Sequence, residues 1–176
     1  MLSLGHRTPP VVAGPSYAST ALDRTAGFLA AFEAATLPVP DDKVLHSGFG
    51  VGAGHDAAVR LLATVPRPTA LSVVDDDAAI GGFAAVREAG LRVGEDVAVV
   101  GYNDVPVVAS LPVPMTTVRS PMHQMGRVAL ELLVGRLGTG RVTSARAHPG
   151  RACVQRAAAP LNRRCTRVCS AGDPRC

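Results

Sequence analysis

An α/β fold, with a parallel sheet flanked by helices, is predicted by three features of residues 1–140. Short β-branched runs alternate with longer Ala- and Leu-rich periodic runs, the pattern left by strands joined through crossover helices. Thr69 to Val74 reads as a continuous apolar strand, of the kind buried on both faces of a parallel sheet. Polar residues gather just after the strand ends, where open parallel sheets present their ligand sites. The composition agrees: 47% hydrophobic and 18% charged residues describe a globular chain, not a disordered one. Aromatic residues are only 3% and Trp is absent, so the core must be made mainly of Ala, Val and Leu.

Taken in order, Val11 to Ala13 is a short strand, weakened at its start by Pro9 and Pro10, which cannot donate to a ladder. Thr20 to Ala35 is a helix with Leu22, Ala26, Leu29 and Phe32 at helical spacing; Thr20 and Asp23 form its capping signal, and Pro38 and Pro40 block its continuation. Lys43 to Ser47 is a strand, followed by a Gly-rich turn and a helix from about Gly54 to Thr64 that Pro66 and Pro68 terminate. After the strand 69–74, Asp75, Asp76 and Asp77 open a helix carrying Ile80, Phe83, Ala84 and Val86 that stops at Gly90. Carboxylates there complement the positive helix N-terminus, and Asp76 or Asp77 is the expected cap. Asp96 to Gly101 is the clearest strand. A loop with Pro106, Pro112 and Pro114 leads to a strand at Thr116 to Val118. A last helix, Pro121 to about Leu137, places Met125, Val128, Ala129 and Leu132 on one stripe, with Pro at its first turn and Gly138 after its end.

The charge divides the chain in two. Residues 1–140 hold ten basic and thirteen acidic residues, a net of −3, whereas residues 141–176 hold eight arginines and one acid, Asp173, a net of +7. All four cysteines (Cys153, Cys165, Cys169, Cys176) lie in the second part, at spacings unlike the paired ligands of zinc modules. Two segments are therefore expected: a folded lobe over 1–140 and a disordered basic tail over 141–176, whose abrupt change of composition resembles a read-through or frame-altered end. No apolar run reaches the length of a membrane span, and the first residues show no basic and apolar leader, so a cytoplasmic location without membrane contact is expected.

Polar groups follow four strand ends: Ser16 to Arg24, Phe49, Asp75 to Asp77, and Tyr102 to Asp104. A guanidinium fork grips vicinal hydroxyls or carboxylates, Asp and Asn bond hydroxyls, and an aromatic face stacks on a sugar or base. That chemistry suits a small polyol or nucleoside and contains no evident nucleophile and base. The runs Pro68 to Gly82, Val86 to Asp104 and Pro114 to Gly126, preceded by Leu4-Gly5-His6-Arg7, Ala13-Gly14-Pro15 and Arg24 to Phe28, stand in the order of motifs shared by LacI/GalR-family transcriptional regulators. The chain resembles their effector-binding domain over about residues 2–140.

The resemblance implies a periplasmic-binding-protein-like fold of two lobes with the effector between them, and a homodimer whose DNA affinity changes as the ligand closes the lobes. In that family a DNA-binding headpiece and most of the first lobe precede the Leu4 to Arg7 run, and the helix at 121–137 belongs to the first lobe. The chain is thus expected to be an incomplete lobe without a DNA-binding element, unable to bind an operator selectively. The resemblance also implies effector-binding roles for Arg24, which matches an arginine holding effector hydroxyls, and Phe49, at a position where an aromatic stacks on the ligand. Asp75 falls where the family usually has Asn, and Asn103 where it usually has Asp. This exchange leaves one carboxylate and one amide near the arginine and bears on effector identity.

Other readings compete. Gly48, Gly50 and Ala53 fit a dinucleotide-binding loop between a strand and a helix, with Asp75 about 25 residues further on. A stand-alone sugar-binding protein uses the same polar groups. An enzyme is disfavoured by the lack of an activated nucleophile or a metal-ligand set, and no cofactor or metal is expected. Met125, Val128 and Leu132, if uncovered, would favour self-association.

Overall fold

A computed structural model describes residues 1–139. The five strands are β1 (Val11–Ala13), β2 (Val44–His46), β3 (Ala70–Val73), β4 (Ala98–Asn103) and β5 (Thr116–Arg119), all parallel, in the order β2-β1-β3-β4-β5. The four α-helices are α1 (Ser19–Ala34), α2 (Val51–Leu62), α3 (Asp76–Glu88) and α4 (Met122–Thr139). The step from β1 to β2 runs opposite to the later steps. Right-handed crossovers therefore set α1 on one face of the sheet and α2 and α3 on the other. The expected tail over 141–176 lies outside the described residues.

β1 is short but interior, paired on both sides by β2 and β3. Pro9 and Pro10 precede the strand and are buried, and the Pro10 carbonyl accepts from Ser72 N–H at 3.0 Å. The prolines lack a donor but still supply an acceptor, so the ladder begins on the carbonyl side. Val12, Leu71, Val97 and Val99 are almost wholly buried and form the middle of the core.

Three expected helix starts shift. α1 begins at Ser19 with Ala18 as its cap and no side-chain capping bond, so Thr20 does not cap it. A turn in which Ala18 N–H donates to the Pro15 carbonyl starts the helix early and carries Thr20 inside the first turn. α2 begins at Val51, inside the glycine run, because Gly50 takes φ +92°, which only glycine adopts freely. At α3 the cap is Asp75, whose Oδ1 accepts from Ala78 N–H at 2.8 Å, not Asp76 or Asp77. The strand ends at Val73, which leaves Asp75 as the last extended residue and puts Asp76 in the helix, fully buried.

The face of α3 toward the core is made of small residues, Ala78, Ala79, Gly81, Gly82 and Ala85, together with Val86, while Ile80, Phe83 and Ala84 are only half-buried. The reason is the close approach of α2. A methyl group at Gly54 would overlap the Ala78 backbone, and one at Gly81 would overlap the Val51 carbonyl. α4 differs: Met122, Met125, Leu130, Leu133, Val134 and Leu137 are exposed, and Val128 and Leu132 are half-buried. The predicted stripe of α4 therefore covers no core within this lobe.

Candidate functional site

The reversal of strand order between β1 and β3 makes a crevice at the carboxyl ends of these strands, the place where doubly wound sheets bind ligands. Arg24, on the second turn of α1, reaches across it. One of its amino groups donates to the Val74 carbonyl at 2.9 Å, just past β3, and the other to Asn103 Oδ1 at 2.9 Å, at the end of β4. Its guanidinium carbon lies 4.1 Å from the centre of the Tyr102 ring, a cation–π contact. Alternation along β4 explains this pair: Gly101 faces α3, so Tyr102 faces α1.

Asp75 stands beside Val74 at the end of the same strand and is 8% exposed. Burial pushes its carboxyl above the ordinary value, while the Ala78 N–H bond and, more weakly, the Arg24 charge pull it down. Phe49 is half in solvent at the start of α2, close enough to β1 that a Cβ on Gly14 would lie 3.2 Å from its Cε1 atom. Gly14 is thus the residue that lets the ring approach the end of β1. Arg24, Asn103 and the backbone beside Asp75 are brought together, and Phe49 forms the rim near β1.

The turn that aims Asn103 is unusual. Asn103 and Asp104 have φ of +125° and +61°, conformations that cost L-residues on the order of 1–3 kcal/mol each. A buried polar tie holds them. Asp76 accepts from the Thr117 hydroxyl at 2.6 Å through Oδ1 and from Val105 N–H at 2.9 Å through Oδ2. Thr117 Oγ1 in turn accepts from Asp104 N–H at 3.3 Å, and the Asp104 carboxylate pairs with Arg119. Sequence reasoning placed Tyr102 in the polar cluster after the strand 96–101 but gave it no role beside Arg24, and it did not single out the support from Asp76 and Thr117. The alternation of β4 was the available signal for Tyr102; for Asp76 and Thr117, 41 residues apart, there was none.

The glycine run 48–52 follows β2, the edge strand, and within it Phe49 reaches the end of β1. No group of three or more His, Asp, Glu or Cys side chains that could hold a metal occurs among the described residues. No helix there is long and apolar enough to cross a membrane.

A sheet of this order with a polar crevice at its switch point is the arrangement in which doubly wound folds hold ligands. Residues 1–158 match the periplasmic binding protein-like domain, and the chain belongs to that family. Within it, the relatives make this an effector-binding domain of the LacI/GalR type. The chain is 34% identical over 144 residues to the HTH-type transcriptional repressor PurR of Salmonella arizonae, covering 82% of this chain and 42% of that protein. A LacI family transcriptional regulator from Mycobacterium smegmatis superposes with a TM-score of 0.77 at 32% identity, covering 81% of this chain and 53% of the other. The transcriptional regulator CelR in complex with cellobiose gives 0.76 at 33% identity, covering 80% and 43%. The chain spans about half the length of these relatives, which are transcriptional regulators.

Proposed function

We propose that this lobe senses a small polyhydroxylated effector, a sugar or nucleoside, for a LacI/GalR-like regulator, through Arg24, Asp75, Asn103 and Phe49. The observation that carries the reading is the Arg24 fork joining the ends of β3 and β4 at the switch point, with N–H groups left over for a ligand. Asp75 offers acceptor oxygens, Asn103 keeps its amide donors, and Phe49 supplies an apolar face at the rim. The cellobiose complex of CelR supports a saccharide rather than a nucleotide. The dinucleotide reading is disfavoured because its glycine loop follows β2, the edge strand, and not β1 or β3, which flank the switch point. The lobe over 1–140 acts as one unit, and reading of DNA and assembly of a homodimer belong to the whole regulator.

The test is a calorimetric screen of pentoses, hexoses, disaccharides and nucleosides against the full chain and its Arg24→Ala variant. One class is expected to bind, and the variant to weaken it by about tenfold or more, as loss of hydrogen bonds from a charged donor does. Equal binding to both proteins would remove the site from this crevice.

A further inference from the structure

Arg24 is the half-buried cation of the crevice, and both groups that hold it are neutral. Its partners are a backbone carbonyl and an amide oxygen, and among the described residues it forms no ion pair. The carboxylates nearby make no direct bond to it, and only the Asp75 charge acts on it from a distance. Asp75 spends Oδ1 on the α3 N-terminus, Asp76 is buried and bonded to Thr117 and Val105, and Asp104 pairs with Arg119, while Asp77 is exposed. A ligand that covers the crevice strips water from this guanidinium, and a neutral ligand gives no counter-charge in return. A ligand that carries its own anion does, through charge-assisted and, for a planar carboxylate, bidentate bonds.

Resting on the effector-site reading above, we infer that the effector is an acidic sugar: a polyhydroxylated ring or chain whose carboxylate or phosphate group meets Arg24. Asn103 is the residue that selects it. As an amide it accepts from Arg24 through Oδ1 and turns its Nδ2 donors toward the incoming anion; a carboxylate there would neutralise Arg24 internally and repel an acid.

Titration of the full chain with glucuronate, glucose 6-phosphate and glucose tests this, with Asn103→Asp as the near-isosteric variant and a melting curve to verify its fold. At least one of the two acids is expected to bind about tenfold or more tightly than glucose, with an affinity that falls as NaCl is raised. A preference for glucuronate identifies a carboxylate and a preference for glucose 6-phosphate a phosphate. Asn103→Asp is expected to abolish the preference. Glucose binding as tightly as both acids would overturn the acidic-sugar assignment and leave the effector site standing, as would an acid preference that Asn103→Asp leaves intact. If none of the three binds, while the broad screen finds a neutral ligand that Arg24→Ala weakens, the assignment again fails alone. Silence in both experiments would remove the site itself.

Discussion

The paired helices α2 and α3 and the last helix α4 are all Ala-bearing segments with apolar residues at helical spacing, yet they end in opposite situations. α2 and α3 pack on each other and on the sheet so closely that Gly54 and Gly81 have no room for a methyl group. α4 has no helix or strand packed closely along it among the described residues, and most of its large apolar side chains face solvent. The contrast teaches that a helical stripe reports what a segment needs to cover, not whether its own lobe supplies the cover. α2 and α3 belong to the folding unit that builds the crevice; α4 is carried by it.

The largest effect separating these regions should come from Gly81→Leu. The side chain must displace the α2 backbone at Val51, and overpacking of a well-fitted core costs about 3 kcal/mol. Urea denaturation should show the unfolding free energy fall by about that amount, with a lower midpoint, or the cooperative transition disappear. An unchanged midpoint would mean that α2 and α3 are loosely paired.

A smaller effect is expected from pH. His55 on α2 contacts Glu88 on α3 at 2.8 Å and its neighbour Asp56 at 3.1 Å, and these carboxylates raise its pKa. Folding favours the charged imidazole, so this support is complete below about pH 6.5 and is lost as pH rises through the raised value. His6 behaves oppositely. It is buried beside Thr69, its Nε2 has no partner, and burial lowers its pKa, so its contribution is intact above about pH 6.5 and is lost as pH falls through the lowered value. Urea midpoints measured across this range should fall on both sides. His55→Gln should flatten only the alkaline fall, and a fall that survives it would show that the contact between α2 and α3 owes nothing to this histidine.

The smallest effect is expected on α4. Leu133→Lys should change the stability of the chain by less than about 0.5 kcal/mol, since the side chain is exposed and touches no core. A loss of 2 kcal/mol or more, on the scale of about one buried leucine, would mean that α4 is covered after all.

Much of the fold was legible because the signals are local. Thr69 to Val74 and Asp96 to Gly101 contain the observed β3 and most of β4, and the acidic triplet at 75–77 marks the start of α3. The choice of cap among three aspartates was not legible, because it depends on where the β3 ladder stops. The resemblance drew attention to Arg24, Phe49, Asp75 and Asn103. Geometry then showed that the amide at 103, and not the carboxylate at 75, meets the arginine across 79 residues of chain.

The sequence by itself determined the alternation of strands and helices, the glycines that allow close approach, and the polar groups that follow each strand end, since these depend on neighbours a few residues apart. Only the tertiary structure decided that β1 is an interior strand, that Asp76 braces the strained turn at 103 and 104, that Tyr102 lies under Arg24, and that α4 goes uncovered in this lobe. Those outcomes depend on the order in which strands pair, and pairing is set by burial across the whole sheet, not by any short stretch of chain.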